Sequence, residues 1–268
     1  MTGNGKLAGK RALVTGSGTG IGREIALEFA REGADVVLHY SRSRKGAQSA
    51  VQEIQAMGRR AVAFQADLSV VEACFDLVEK GIDFLGGLDI LMNNAGTSQS
   101  CDFTAVTPEY FDLLYRVNIK GQFFCAQRAV RHMLEKGQKG VIINTTSSHA
   151  ESSLPGFSVY AGTKGAIWAW TRQVAVELAP KGIRVNAICP GWTEVESFYK
   201  EIPHFDPITI GKTIPYQRMG KTIDIAKACV YLASEDSDYM IGHVLVVDGG
   251  TMARMALPDH SKEEKERE

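Results

Sequence analysis

Short β-branched runs alternate with longer amphipathic stretches from Arg11 to Val247, and this alternation limits the folds open to the chain more than any other feature. The pattern is typical of repeated strand–helix–strand units, whose parallel strands form one sheet with helices on both faces. A chain of 268 residues can bury the core of one such domain. We therefore predict a single α/β domain over residues 1–257 and a charged tail over 258–268. The predicted strands lie near 11–15, 35–39, 60–65, 88–92, 140–146, 183–188 and 243–247.

A glycine-rich segment, residues 15–22 and here called the glycine turn, joins the first predicted strand to an amphipathic helix that ends near Gly33. Glycines let the backbone approach a pyrophosphate, and the free N–H groups at a helix N-terminus stabilise its negative charge. The alternative is a tight turn that binds nothing, but the flanking strand and helix favour phosphate binding. The expected phosphate contacts are Gly16, Ser17, Thr19, Gly20, Ile21 and Gly22.

Tyr160 and Lys164 lie four residues apart in a stretch with helical periodicity, 158–179, and Ser147 precedes Tyr160 by thirteen residues. Residues four apart project from the same side of a helix. A tyrosine of ordinary pKa, about 10, transfers protons near neutral pH only if its phenolate is stabilised. We expect Lys164 to supply one stabilising cation and an oxidised nicotinamide to supply another, and together they would lower the pKa of Tyr160. The simpler alternatives are a serine that caps a strand end and a lysine that is solvated on the helix surface.

In this order, the motifs resemble those of the short-chain dehydrogenase/reductase family, in the branch whose glycine motif reads TGxxxGxG. The resemblance runs from about Lys6 to Gly250 and implies a Rossmann-type, doubly wound, seven-stranded parallel sheet. It also implies hydride transfer between a nicotinamide and an alcohol or carbonyl carbon. Further matching motifs are Asp67-Leu68, Asn93-Asn94-Ala95-Gly96, Pro190-Gly191 with Thr193, and Asp248-Gly249-Gly250. The implied catalytic residues are Asn118, Ser147, Tyr160 and Lys164.

The resemblance assigns a role to each of these residues. Tyr160 transfers the proton, Ser147 orients the substrate oxygen, and Lys164 also contacts the nicotinamide ribose. Asn118 holds a water molecule that links the lysine to solvent, although an asparagine here could simply cap the following helix. A homotetramer built from helices near 107–136 and 158–179 is implied as well. Further implied cofactor contacts are Asp67, Leu68, Asn94, Ala95, Gly96, Tyr160, Lys164, Pro190, Gly191 and Thr193.

NADP is the expected cofactor, with NAD as the other possibility, because of the residues at the end of the second strand. An acidic residue there would bind the adenosine ribose and repel a 2′-phosphate. This chain has Tyr40 at that position, with Arg42 and Arg44 close behind. The alternative is that both arginines project into water. NADP-preferring relatives often carry a basic residue in the glycine turn, whereas this turn has Ser17 and Thr19.

Substrate contacts are expected from the residues after Ser147 and from the segment 191–215, which is rich in proline and glycine and is interpreted as a mobile loop that covers the substrate. His149 follows the serine by two residues, as in glucose 1-dehydrogenase-like members of the family. With Glu151 it could bind sugar hydroxyls, or both could be polar loop residues. Gln99, Glu194 and Glu196 would suit a polar substrate, whereas Trp192, Phe198 and Tyr199 would suit an apolar ketone.

Three functions follow from these features. The leading hypothesis is an NAD(P)-dependent oxidoreductase that acts on the alcohol, hemiacetal or carbonyl carbon of a sugar or polyol. The second is a 3-oxoacyl thioester reductase, which a basic patch for a carrier protein near Arg128, Arg131 or Arg172 would favour. The third is a non-catalytic nucleotide sensor, but sensors in this family typically lose the tyrosine or the lysine, and both are present.

Composition argues against several other classes. The 30 basic and 31 acidic residues leave a net charge of −1, so no overall positive field favours nucleic acid or an anionic membrane. The five cysteines are scattered without a CxxC pair, which argues against a disulfide framework and a zinc site. The start of the sequence lacks the apolar stretch of a secretion signal, and no stretch is long enough for a membrane span. We expect a cytoplasmic protein with a small-molecule substrate and without a metal.

Overall fold

The structure, a computed structural model, describes residues 5–254. Its centre is a seven-stranded sheet in the order β3-β2-β1-β4-β5-β6-β7, and every neighbouring pair of strands is parallel. The predicted α/β fold, with seven parallel strands and flanking helices, is confirmed. The strands are β1 (Arg11–Val14), β2 (Asp35–Tyr40), β3 (Ala61–Gln65), β4 (Ile90–Asn93), β5 (Gly140–Thr145), β6 (Ile183–Pro190) and β7 (Val244–Val247).

Helices cover both faces of the sheet because side chains alternate between the faces along each strand. On β1, Ala12 and Val14 face a core that contains residues of α1, α2 and α9, whereas Leu13 faces the opposite core, with α3, α5 and α6. The α-helices of the described residues are α1 (Gly20–Arg31), α2 (Arg44–Ala56), α3 (Val71–Leu85), α4 (Pro108–Tyr115), α5 (Gln122–Glu135), α6 (Ser158–Leu178), α7 (Phe198–Glu201), α8 (Pro207–Thr213) and α9 (Thr222–Ala233).

The strand order reverses next to β1. This strand pairs with β2 on one side and with β4 on the other, so the chain winds outward in both directions from the centre of the sheet. The loops that follow β1 and β4 leave a crevice at the carboxyl edge of such a sheet, where parallel α/β proteins bind their ligands. The glycine turn and the segment Asn93–Gly96 therefore lie side by side at this edge of the sheet.

Two local predictions differ from the structure. The segment 191–215 is not a continuous loop, because it contains the short helices α7 and α8. Asp206 caps α8, since its carboxylate accepts a hydrogen bond from the Ile208 N–H, and Pro207 starts the helix. The helical region predicted near 107–136 is interrupted between α4 and α5 by a wider π-helical turn, Arg116–Gly121.

Part of the sequence-based description lies outside the described residues. The charged tail 258–268 and the last residues of the predicted domain, 255–257, belong to that part. Within residues 5–254, no helix combines the length and the apolar character needed to cross a membrane.

Candidate active site

The glycine turn has a backbone that only glycine accommodates. Gly16 and Gly20 have φ angles of +64° and +57°, in the left-handed region that side chains disfavour. A Cβ on Gly16 would lie 2.8 Å from the Cα of Ala95, and a Cβ on Gly22 would clash with the carbonyl of Gly16. The turn is therefore held tightly against the segment that follows β4.

Asn94 and Thr15 fasten this contact between the two loops. The Thr15 hydroxyl accepts hydrogen bonds from the N–H groups of Asn94 and Ala95, each at 3.0 Å. The Asn94 side-chain amide donates to the carbonyls of Thr15 and Gly16, each at 3.1 Å. Thr15 was missed as a site residue by sequence reasoning, whereas the expected Asn94, Ala95 and Gly16 are brought together.

Ser17 and His39 stabilise the glycine turn through hydrogen bonds. Ser17 is fully buried, its hydroxyl donates to the Val14 carbonyl at 2.8 Å, and its N–H donates to the His39 carbonyl at 2.8 Å. Ser17 was expected to contact phosphate, but these internal bonds already use its hydroxyl and its N–H. The imidazole of His39, which sequence reasoning overlooked, accepts a hydrogen bond from the Gly16 N–H at 3.0 Å.

The N-terminus of α1 fits an anionic group. Thr19 precedes the helix, and its side chain does not cap the first-turn N–H groups, which leaves the donors of Gly20, Ile21 and Gly22 without a side-chain partner. These donors and the helix dipole favour a pyrophosphate at this position. The residues present thus suit the dinucleotide that the glycine turn predicted.

Ser147, Tyr160 and Lys164 meet at the carboxyl ends of β5 and β6. Ser147 follows β5, and Tyr160 and Lys164 lie in the first turns of α6. The Lys164 Nζ lies 5.5 Å from the centroid of the Tyr160 ring and donates a hydrogen bond to the Thr145 carbonyl at 2.8 Å. The Ser147 side chain lies near the Tyr160 hydroxyl, and its Oγ is 3.4 Å from the His149 Nδ1. The three side chains line one cavity, as their spacing in the sequence predicts.

Burial shifts the pKa values of both titratable groups in this cluster. It raises the pKa of Tyr160, and the neighbouring Ser147 side chain offsets this only in part. Burial also lowers the pKa of Lys164 to about 8. Removal from water thus disfavours the charged forms of both groups, the phenolate and the ammonium. The lower pKa expected for Tyr160 beside Lys164 and an oxidised nicotinamide stays a prediction.

Asn118 lies in the π-helical turn, Arg116–Gly121, and is fully buried. Its side-chain oxygen accepts from the Thr97 N–H at 2.8 Å, and its amide donates to the Thr97 carbonyl at 2.9 Å and to the Thr163 hydroxyl at 3.1 Å. Thr163 in turn donates to the Tyr160 carbonyl at 2.7 Å. Asn118 therefore connects the loop after β4 to the helix that carries Tyr160 and Lys164. Widened turns of this kind are frequent at functional sites.

The adenosine side of the crevice contains Tyr40, Arg42, Asp67 and Leu68. Tyr40 and Leu68 are buried, and Arg42 is exposed. Hydrogen bonds from Ser69 lower the pKa of Asp67, and the bond from the Ser69 backbone N–H has the largest effect. The charge of Arg42 acts in the same direction. These residues lie at the ends of β2 and β3, which are adjacent in the sheet.

Pro190, Gly191 and Thr193 continue from the end of β6. A Cβ on Gly191 would lie 2.5 Å from the Cβ of Asp248, so the chain passes close to the segment after β7. The Thr193 hydroxyl donates to the Gly191 carbonyl at 3.1 Å, and Thr193 forms an isolated parallel bridge with Gly220. This bridge holds together the two ends of the segment that contains α7 and α8.

A cavity of about 340 Å³ opens beside Tyr160 and is lined by both apolar and polar side chains. Ser147, His149 and Trp192, three of the residues considered for substrate contacts, line it. Glu151, the fourth, does not: it follows the short helical turn Ser148–Ala150 and is exposed to solvent, as a polar loop residue would be. Gln99, Glu194, Glu196 and Tyr199 are likewise absent from its lining. We call six of its apolar lining residues the substrate wall: Leu154, Phe157, Trp192, Val195, Phe198 and Ile202.

Known proteins resemble this chain over nearly its whole length. The sequence profile of a family described as enoyl-(acyl carrier protein) reductase matches residues 16–252. Versicolorin reductase 1 from Aspergillus parasiticus is 38% identical over 261 residues, which are 93% of this chain and 99% of that protein. Tetrahydroxynaphthalene reductase PfmaG from Pestalotiopsis fici is 35% identical over 255 residues, which are 91% of each chain.

A similar solved structure is that of a short-chain dehydrogenase from Burkholderia cenocepacia in complex with NADP. It has a TM-score of 0.84 and 35% identity, and the match covers 91% of this chain and 98% of that one. Both the fold and the sequence are therefore shared with oxidoreductases over most of their length. The chain belongs to the short-chain dehydrogenase/reductase family and is an oxidoreductase that acts on alcohol or carbonyl groups.

Proposed function

We propose that this protein uses NADPH to reduce a ketone carried by a flat, largely apolar ring system. The observation that carries the proposal is the substrate wall, whose six apolar or aromatic side chains line the same cavity as the proton donor. Ser147, His149 and Tyr160 are among the polar side chains of that cavity, and we call these three the polar corner. Aromatic rings bury a large area against such side chains and gain further from edge-to-face contacts. A ligand with one carbonyl and a broad apolar body suits this arrangement.

A sugar or polyol suits it less well. Each sugar hydroxyl that leaves water needs a hydrogen-bond partner, and an unpaired one costs about 1–3 kcal/mol. Of the side chains that sequence reasoning reserved for sugar hydroxyls, His149 lines the cavity, whereas Glu151 does not. Phe198 and Ile202 of the substrate wall have no hydrogen-bonding group, and the indole of Trp192 can only donate.

The names of two relatives support the same substrate class. One is a versicolorin reductase, and the other is a reductase of tetrahydroxynaphthalene, a fused two-ring aromatic compound with several hydroxyl groups. The 3-oxoacyl thioester alternative has weaker support. Arg128, one of the residues considered for a carrier-protein patch, is ion-paired with Glu79 and therefore already has a partner.

The proposed chemistry assigns one task to each residue of the corner. The bound cofactor supplies the hydride that reaches the carbonyl carbon. Tyr160 donates its phenolic proton to the carbonyl oxygen, and the raised pKa of this group keeps it protonated at neutral pH. Ser147, which lines the same cavity as Tyr160, orients the same oxygen. Lys164 is charged below its pKa of about 8 and stabilises the phenolate that remains.

The proposed preference for NADP rests on the N-terminus of α2. Arg42, Arg44 and Lys45 surround it, the first turn has no acidic residue, and Ser43 does not cap the helix. Cations at a helix N-terminus are unfavourable unless an anion lies between them, and a 2′-phosphate supplies that anion. Arg42→Ala should raise the Kd of NADP about tenfold and leave that of NAD within about twofold. An unchanged ratio of the two constants would remove Arg42 from the proposal.

A substrate comparison tests the main proposal. Purified protein with NADPH is offered 2-tetralone, a two-ring ketone, and cyclohexanone, which retains the ketone but lacks the second ring. Glucose with NADP serves as the sugar probe, and absorbance of the reduced nicotinamide is followed. We expect kcat/KM for the tetralone to exceed that for cyclohexanone by at least about tenfold, because the second ring buries additional apolar area. Preferential turnover of glucose would reject the proposal.

We also propose a homotetramer, with α5 and α6 at one interface. Phe123 and Val176 are 37% and 70% exposed on these helices, and a second copy of the chain would cover that apolar area. Light scattering of the purified protein measures the mass directly. A monomer at micromolar concentration would contradict this assembly.

A further inference from the structure

The imidazole of His39 is buried between the glycine turn and the end of β3. His39 is 2% exposed, its Nδ1 lies 3.0 Å from the Gly16 nitrogen, and its Nε2 lies 3.1 Å from the Ala66 carbonyl oxygen. The backbone of His39 also bonds the turn, since its N–H donates to the Ser17 hydroxyl at 3.0 Å and its carbonyl accepts from the Ser17 N–H. Among the described residues, no other side chain forms hydrogen bonds with both the glycine turn and the residue that follows β3.

These two contacts define the protonation state of the ring. Nδ1 accepts a hydrogen bond from the Gly16 N–H, so it carries no hydrogen, and Nε2 carries the hydrogen that it donates to Ala66. A protonated ring would direct an N–H at the Gly16 N–H and break the bond. Burial lowers the pKa of His39, and the nearby charge of Asp67 opposes that effect only in part. The groups of the turn that face the ring, on Gly16 and Ser17, do not titrate.

We infer that His39 is a positioning residue for the cofactor, and that its Nδ1 fixes the glycine turn in the conformation that binds the pyrophosphate. Gly16 is the residue whose left-handed backbone, with φ of +64°, directs the chain into the turn. Without an acceptor its part-buried N–H is unpaired, and the turn populates conformations with misdirected donors. Affinity then falls in proportion to the fraction of competent turns. The inference rests on the proposed use of a dinucleotide.

Two variants separate the acceptor from the ring. In His39→Asn the side-chain Oδ1 is two bonds from Cβ, as Nδ1 is in histidine, so it can accept from Gly16 without titrating. In His39→Phe an aromatic ring remains, one atom larger than imidazole, and both nitrogens are lost. The Kd values of NADPH and NADH are measured by fluorescence titration, and thermal unfolding of each variant is followed in parallel.

We expect His39→Phe to raise both Kd values about tenfold, whereas His39→Asn stays within about threefold of wild type. As the pH falls below the ordinary imidazole pKa of about 6.5, which burial lowers for His39, the wild-type Kd should rise more steeply than that of His39→Asn, because only the histidine gains a proton. The comparison cancels titration of the 2′-phosphate, which both proteins encounter. The pH comparison does not depend on whether His39→Phe folds.

Other outcomes overturn different statements. Equal Kd values for wild type and a folded His39→Phe, or parallel pH curves for wild type and His39→Asn, would reject the role of His39. If instead the wild-type protein binds neither dinucleotide, the proposed function fails first. Loss of thermal stability in His39→Phe with unchanged Kd would assign His39 to folding alone and would likewise reject the inference.

Discussion

The glycine turn and the substrate wall meet at one crevice, where Val195 of the wall lies next to Gly20 of the turn, and they are built on different principles. In the turn, backbone groups are the proposed cofactor contacts, and their positions are fixed by glycines in left-handed conformations and by hydrogen bonds. In the wall, side chains are the proposed substrate contacts, and they come from short helices and irregular segments. Trp192, Phe198 and Phe205 pack in sequence there, with ring centroids 6.0 and 5.4 Å apart.

This difference separates the residues that we expect to bind the cofactor from those that we expect to select the substrate. A backbone cradle tolerates few substitutions, since a Cβ at Gly16 or Gly191 meets other backbone or Cβ atoms at 2.5–2.8 Å. A wall of side chains can change one residue at a time while the cradle and the proton donor remain. We therefore expect changes in the turn to affect cofactor binding, and changes in the wall to affect substrate choice alone.

The proton donor between the two regions provides the largest expected effect. Tyr160→Phe removes the phenolic proton but keeps the ring that packs against His149 and Phe157. Activity with a ketone substrate should fall by at least about a hundredfold, since general acid catalysis commonly contributes that much. The Kd of NADPH should stay within about threefold, which fluorescence titration checks. Turnover near the wild-type rate would remove Tyr160 from the chemistry.

Gly16→Ala tests the turn itself. The added Cβ would strain the left-handed backbone and meet Ala95 at 2.8 Å, so we expect the Kd of NADPH to rise at least about tenfold. The free energy of unfolding should fall by about 2 kcal/mol, measured by urea denaturation. Gly58→Ala is the matched control, because Gly58 has φ of +77° but open space around its Cβ position. It should cost about 1 kcal/mol and leave the Kd unchanged.

The sequence predicted the turn well because its determinants are local. Glycines at fixed offsets between an apolar strand and an amphipathic helix specify one backbone path and one chemistry. The buried His39 was missed because a histidine at the end of a strand has no distinctive pattern. Its role arises from Gly16 and Ala66, which are distant in sequence and adjacent only once β1, β2 and β3 pair.

The wall was less predictable for a related reason. Proline and glycine indicated an irregular segment over 191–215, but α7 and α8 are too short to produce a clear apolar periodicity. Whether Trp192 lines the cavity depends on how that segment folds back over the crevice, and the position of Glu151 depends on the separate turn Ser148–Ala150. The proposed substrate class therefore rests on the arrangement of side chains in three dimensions.

Phe198→Ala tests the wall at the side chain that contacts Trp192. Removing this ring should lower kcat/KM for a two-ring ketone about tenfold, the loss expected when a largely buried aromatic contact disappears. The Kd of NADPH should not change. Tyr199→Ala is the control in the same helix, because Tyr199 is 56% exposed and does not line the cavity. Equal losses in both variants, or a change in cofactor affinity, would mean that wall and turn are not independent.

The smallest expected effect concerns Lys164, which lies where the two regions meet. Burial lowers its pKa from 10.5 to about 8, so the side chain is charged below that pH and loses its proton as the pH rises through it. The rate of ketone reduction should therefore fall to half of its plateau near pH 8. A decrease in rate caused by ionisation of Tyr160 would occur at higher pH, because burial raises the pKa of that group. In Lys164→Arg the guanidinium stays charged, so whatever activity remains should be flat across this range. If the rate of the arginine variant still decreases near pH 8, another group controls that decrease. The role of the lysine would then be limited to its hydrogen bond with the Thr145 carbonyl.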